Sequence, residues 1–225
     1  MDENIKHTPK KWKKIIFIVF GSILLLIIVI IDLYVFGFFK NQNSPEDQQK
    51  ALEQKINTLK TILGDGTNYY LGTSTPKIVI VEFADFACPF CQKSYTTVRE
   101  LSIKYKDRVK IIYRDYPIHE NSIDLSLATR CAGEQGKFWP MHDKLFLLAD
   151  KLAPADLPEM AYNVGVDKIK YDNCVSTKKY LPKIEKDFND GKTLKIAGTP
   201  TWFINGYRVE GEIPLKTFEE IISKF

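Results

Sequence analysis

The chain has 225 residues, 44% hydrophobic and 12% aromatic, which suits one well-buried domain plus an appendage and is neither disordered nor fibrous in composition. Its net charge of +4 is concentrated at one end: residues 1–40 hold six lysines (6, 10, 11, 13, 14 and 40) against Asp2, Glu3 and Asp32, leaving a formal +1 for the rest. No basic face remains to bind nucleic acid, and that class of function is excluded.

Residues 15–39 form an apolar run interrupted only by Asp32. As a helix it measures about 37 Å, enough to cross a hydrocarbon core of about 30 Å with some tilt. Lys10, Lys11, Lys13 and Lys14 crowd its near side, so the positive-inside rule keeps a basic tail (1–14) in the cytoplasm and exports the remainder of the chain. A cleaved signal peptide is the rival reading, but its apolar region is shorter and ends in a small-x-small site, whereas bulky Phe36, Phe38 and Phe39 stand here. An uncleaved single-pass anchor over 15–39 is the expectation. A polar linker and amphipathic helix are expected over 40–67: Ser44 caps, Pro45 takes the first position, and Leu52, Ile56, Leu59 and Leu63 recur at spacings of four, three and four before Gly64-Asp65-Gly66. Two heptads are short for a dimerising coil, so packing on the domain or a stalk is the better reading.

The run Ile78 to Phe83 is nearly all apolar and predicts a strand covered on both faces. It leads into Cys88-Pro89-Phe90-Cys91, where Pro89 suits the first position of a helix. A Cys there meets unpaired N–H groups at the positive helix end, which stabilises its thiolate; a second Cys two residues on can close a small disulfide with it. This spacing encodes a dithiol switch. Glu82 stands out in the apolar strand as either a solvated strand end or a buried acid that handles the second thiol's proton.

Tyr95, Val98, Leu101 and Tyr105 continue the helix from Cys91, and Val109, Ile111 and Tyr113 alternate as a second strand, which together make a parallel strand–helix–strand unit. Residues 119–195 show helical periods broken by Gly133, Gly136, Pro154 and Gly165, and predict an inserted helical region of about four segments. His142, beside aromatic residues, reads as structural or solvated rather than catalytic. Asn205-Gly206 between two β-rich runs predicts a type I′ hairpin, and Pro214 to Phe225 a closing helix.

Export would place all four cysteines where thiols oxidise. Of three possible pairings, Cys88 with Cys91 is favoured by the short gap, which leaves Cys131 with Cys174 as a clamp across the insertion. Zinc fits poorly, since it needs two close ligand pairs; copper delivery by Cys88, Cys91 and a His lacks a His near the motif. No metal is expected.

Three stretches carry a family resemblance: the strand into Phe-Ala-Cys-Pro-Phe-Cys, Cys-Ala-Gly-Glu-Gln-Gly-Lys-Phe-Trp at 131–139, and Gly-Thr-Pro-Thr-Trp-Phe-Ile-Asn-Gly at 198–206. Over residues 68–225 the chain resembles the DsbA-family thiol-disulfide oxidoreductases, in particular the membrane-anchored BdbD-like bacterial members. The resemblance implies an α/β thioredoxin fold with an inserted helical domain at about 119–195. It implies an exposed nucleophilic Cys88, a resolving Cys91, a buried acid at Glu82, a cis-proline loop at Thr199-Pro200 that pairs with an extended substrate beside Pro89 and Phe90, and support for a Cys131–Cys174 disulfide. Catalysis would need no cofactor beyond the redox-active Cys88–Cys91 disulfide. Partners would be reduced exported proteins and a DsbB-like quinone-linked oxidase in the bacterial cell membrane. Pro89-Phe90 departs from the Pro-His of the family's best-known strong oxidants: Phe90 cannot donate a hydrogen bond to the thiolate, which would leave Cys88 less acidic and the site less oxidising. Alternatives are a reductase or isomerase, and, in another class, a copper-binding or chaperone module.

Overall fold

The structure, a computed structural model, describes residues 10–40, 44–148 and 156–225. The expected basic tail at 1–14 and the break at Pro154 fall wholly or partly outside these residues. The chain divides into two compact units, Met1–Lys55 and Ile56–Phe225.

In the first unit, helix α1 (Lys10–Lys40) contains Phe17–Gly37, 21 residues of mean hydropathy 2.9, long and apolar enough to cross a membrane. Helix α2 (Pro45–Leu63) starts as the sequence requires: the Asp47 N–H donates to Ser44 Oγ (3.1 Å), and the Ser44 hydroxyl donates to the Asp47 carboxylate (2.6 Å). The last turns of α2 belong to the second unit. There Ile56, Leu59 and Leu63, expected on a packing face, are 36–41% exposed, and Ile62 is the residue that goes inside, at 3%. The cause lies in Arg114, whose guanidinium donates to the Thr61 and Ile62 carbonyls (2.9 Å each) and so turns Ile62 toward Val81, Phe83 and Ile112.

The second unit is built on a five-stranded sheet in the order β1-β3-β2-β4-β5. Strands β2 (Ile78–Ala84) and β3 (Val109–Asp115) run parallel on either side of helix α3 (Pro89–Lys104) in the chain. Strand β4 (Thr201–Ile204) pairs antiparallel with β2, and β5 (Tyr207–Glu210) with β4. Asn205 and Gly206 both have positive φ, 47° and 87°, as the tight hairpin demands. A short strand not anticipated from the sequence, β1 (Tyr70–Gly72), runs antiparallel to β3 at the edge.

β2 is buried on both faces because its side chains alternate between two cores. Ile78 and Ile80 meet Val98 and Leu101 of α3 and Phe218 and Ile222 of α9 (Leu215–Ile222), while Val81 and Phe83 meet Ile112, Tyr116 and Phe203. Between β3 and β4 lie α4 (Ser122–Gly133), α5 (Phe138–Leu148), α6 (Leu157–Asn163), α7 (Lys168–Ser176) and α8 (Leu181–Thr193), five described segments where about four were expected. Cys131 of α4 and Cys174 of α7 are joined by a disulfide with Sγ–Sγ 2.04 Å.

A buried ion network ties this insertion to the sheet. Arg114 donates to Asp187 (2.8 Å) and Asp190 (2.5 Å) of α8; Arg130 of α4 donates to Asp115 and to Asp187 (2.6 Å). Each guanidinium faces carboxylates with two or more donors engaged, the geometry that repays desolvation.

Candidate active site

The two cysteines of the motif meet at the carboxyl end of β2, where the chain turns into α3. Cys88 is the N-cap of that helix (φ −82°, ψ 122°) and Pro89 its first residue. Asp85 builds the turn. Its buried carboxylate accepts from the Ala87 N–H (2.8 Å), the Ser122 hydroxyl (2.5 Å) and the Ile118 and His119 N–H groups (2.7 and 3.0 Å), which locks the loop before Cys88 to the entry of the insertion. Sequence reading passed over Asp85; its position three residues before a Cys-x-x-Cys, in a turn, was the available signal.

Because β4 runs antiparallel to β2, the start of β4 lies beside the end of β2, and residues 198–200 reach the cysteines. The Thr199–Pro200 bond is cis, and the Cys88 thiol donates to the Thr199 carbonyl at 3.2 Å. Pro200 is buried and its carbonyl accepts from the Gly211 N–H at 2.8 Å. This contact corrects one expectation: Cys88 is only 3% exposed, since the Thr199 loop covers its sulfur, while Phe90 is 55% exposed with Lys93 Nζ 5.6 Å above its ring.

Both thiols are free, and their environments differ. The Cys91 side chain hydrogen-bonds the Cys88 sulfur; against the opposing effect of burial, this bond, the Thr199 side chain and the N–H groups of Cys91 and Phe90 pull Cys88 from 9.0 down to about 5. Burial, the bond to Cys88 and the charge of Glu82 hold Cys91 well above the ordinary thiol range. Glu82 itself is 3% exposed on the α3 side of β2, directly opposite Tyr113 in the parallel register, and loss of water pushes its carboxyl from 4.5 up to about 8. Of the two readings of Glu82 open at the sequence level, the solvated strand end is absent. The site therefore holds a thiol that ionises readily, a neighbour that does not, and a buried acid beside them. Among the described residues no group of three metal-ligating side chains is present.

The Cys131–Cys174 bond lies among Leu145, Met160 and Tyr171, in the same buried cluster that holds Cys88 and Cys91.

Comparison with known proteins places this arrangement. Residues 65–224 match the family model described as Thioredoxin. A Rickettsia bellii protein provisionally named a protein-disulfide oxidoreductase is 32% identical over 174 residues, covering 72% of this chain and 67% of that one. A Na(+)/H(+) antiporter NhaA 3 of Salinispora tropica is 34% identical over 143 residues, 62% of this chain but 22% of the antiporter; the chain spans less than a quarter of the length of such relatives. Among solved structures, the thiol-disulfide exchange protein α-DsbA2 of Wolbachia pipientis superposes with TM-score 0.69 at 20% identity, covering 81% of this chain and 99% of that one. BdbD of Bacillus subtilis gives 0.63 at 21%, covering 72% and 94%. The five-stranded sheet with its helical insertion between β3 and β4 accords in fold with these structures, and the chain belongs to the thioredoxin family.

Proposed function

We propose that this protein is a membrane-anchored oxidant that introduces disulfides into exported proteins through Cys88 and Cys91. The observation that carries the reading is the split between the two thiols. A substrate thiolate attacks the Cys88 sulfur of the Cys88–Cys91 disulfide; the S–S bond breaks, its electron pair leaves on Cys91, and a mixed disulfide forms on Cys88. A second substrate thiolate attacks the substrate sulfur of that bond, the substrate leaves oxidised, and Cys88 departs as a thiolate. A sulfur whose pKa is about 5 is a good leaving group, and its stability favours the reduced enzyme, which is what drives the substrate toward oxidation. Cys91, expelled as a thiolate in a site that disfavours its charge, takes a proton, and Glu82 is the acid placed to give it.

The Thr199-Pro200 segment offers an extended substrate its backbone, with Pro89 and Phe90 forming the opposite wall. The Cys131–Cys174 bond is the structural clamp of the insertion. α1 supports a single-pass anchor with a cytoplasmic N-terminus and the catalytic unit outside. A quinone-linked membrane oxidase of the DsbB kind would take the electrons from Cys88 and Cys91. Oxidative refolding of a reduced, disulfide-containing secreted protein tests the reading: the wild-type chain in its disulfide form accelerates refolding and the Cys88→Ser variant does not. Equal rates for the two would overturn it, and protection of the catalytic unit from protease added to intact cells would overturn the topology.

A further inference from the structure

The apolar spacing of α2 is left largely uncovered by the described residues. Leu52, Ile56, Leu59 and Leu63 are 57, 41, 36 and 41% exposed. At 100° per residue they fall within a sector of about 60° and form a ridge about 16 Å long. Lys55 and Lys60 border that ridge on its two sides, each about 70° from its centre, with Glu53 next to Lys60; Lys50, Asn57 and Thr61 make the opposite face. An exposed apolar stripe between two lysines suits a helix lying in a membrane interface, where the lysine stems reach up to the phosphates. The first-turn acids Glu46 and Asp47 lie outside the ridge, and Asp47 accepts from the Ser44 hydroxyl at 2.6 Å.

Chain length keeps this helix close to whatever α1 enters. Four residues, 41–44, separate Lys40 from Pro45, so Pro45 lies at most about 18 Å from the end of α1. At its other end α2 is built into the sheet: Ile62 packs with Val81 and Phe83, and Arg114 of β3 donates to the Thr61 and Ile62 carbonyls at 2.9 Å. A second copy would cover the ridge poorly. Leu52, Ile56, Leu59 and Leu63 take the d, a, d and a positions of two heptads. Chains anchored in one membrane would pair these in parallel, which sets Lys55 of one helix against Lys60 of the other.

We propose that the ridge of α2 docks on the lipid surface of the membrane in which α1 is anchored. This rests on the reading of α1 as a membrane span. Leu52, Ile56, Leu59 and Leu63 enter the boundary between headgroups and acyl chains, and Lys55 and Lys60 meet the lipid phosphates. Because Thr61 and Ile62 are fixed to β3, the docked helix holds the sheet, and Cys88 and Cys91 with it, at one tilt to the bilayer.

The test uses the full chain, oxidised so that an introduced cysteine is the reactive thiol, in vesicles of phosphatidylcholine and phosphatidylglycerol. A nitrobenzoxadiazole label on Leu52→Cys or Ile56→Cys should shift its emission to the blue and lose about half its intensity to lipid spin-labelled just below the headgroup. Labels on Lys50→Cys and Asn57→Cys, on the opposite face, should keep a water-like emission and lose little. All four positions are exposed and lie outside the buried clusters. Water-like emission at Leu52 and Ile56, or equal quenching on both faces, overturns the docking. A blue shift without lipid quenching that grows with the protein-to-lipid ratio also overturns it and assigns the ridge to a second copy. Release of the wild-type chain from the vesicles by alkaline carbonate overturns the anchor reading and the docking together, whereas retention with unquenched labels overturns the docking alone.

Discussion

The two cysteine pairs of this molecule are equally buried, at 3% and 1% for Cys88 and Cys91 and 0% and 2% for Cys131 and Cys174, so burial does not set their chemistry apart. Helix polarity does. Cys88 caps the amino end of α3, where free N–H groups face its sulfur; Cys131 and Cys174 both sit in the last turn of their helices, α4 and α7, where the dipole presents negative charge. A thiolate is stabilised at the first position and destabilised at the second. On the proposed reading a disulfide would be labile at the first place and inert at the second, and a leaving group's stability, more than its accessibility, would separate exchanger from clamp.

The largest effect should come from exchanging the roles. Cys88→Ser should abolish thiol exchange, at least a thousandfold by oxidative refolding assay, whereas replacing Cys131 and Cys174 together by Ala should leave exchange within a few-fold. That double change should instead cost stability, about 4 kcal/mol by the chain-entropy relation for a separation of 43 residues, measured by urea unfolding. If the double variant lost exchange as Cys88→Ser does, the division between the pairs would be wrong.

Glu82 sharpens the contrast through pH. Its carboxyl is raised in the folded state, so the native protein binds the extra proton between about pH 4.5 and 8; stability is full below that window and falls as pH rises through it. At pH 7 the loss is on the order of 3 kcal/mol, and Glu82→Gln should recover it while slowing disulfide closure. Urea midpoints of the reduced protein across pH 4 to 8 read the slope directly, and an unchanged slope in the Gln variant would place the titration elsewhere. The smallest effect concerns Phe90. Phe90→His adds a donor beside Cys88, should lower its pKa further and make the pair more oxidising by about 30 mV for each unit gained; a shift toward more reducing potential would contradict the electrostatic account.

How much of this was legible in the chain depended on how local the signal was. The Cys-x-x-Cys at a helix start, the Asn205-Gly206 turn, the closing helix and the breaks at Gly133 and Gly165 rest on residues adjacent in sequence, and the structure has them where sequence chemistry puts them. Arg114 did not read as buried, because its partners Asp187 and Asp190 lie 73 and 76 residues away and a charge alternating in a strand looks outward-facing. β1 has three residues, too few for a periodicity, and exists through its pairing with β3. Ile62 replaced the expected apolar face of α2 for the same long-range reason, Arg114 reaching the helix end. At the site, Cys88, Cys91 and Glu82 were legible as candidates, while the cover over Cys88 by the Thr199 loop and the packing of His142 against Tyr113 depend on contacts distant in sequence, which no spacing encodes.

Equilibration of the Cys88/Cys91 pair with glutathione buffers of known ratio tests the central claim most directly. A thiolate stabilised at the head of α3 predicts a potential between about −230 and −120 mV, the range from glutaredoxins to strong oxidants. A value at or below that of thioredoxin, about −270 mV, would contradict it and make the protein a reductant.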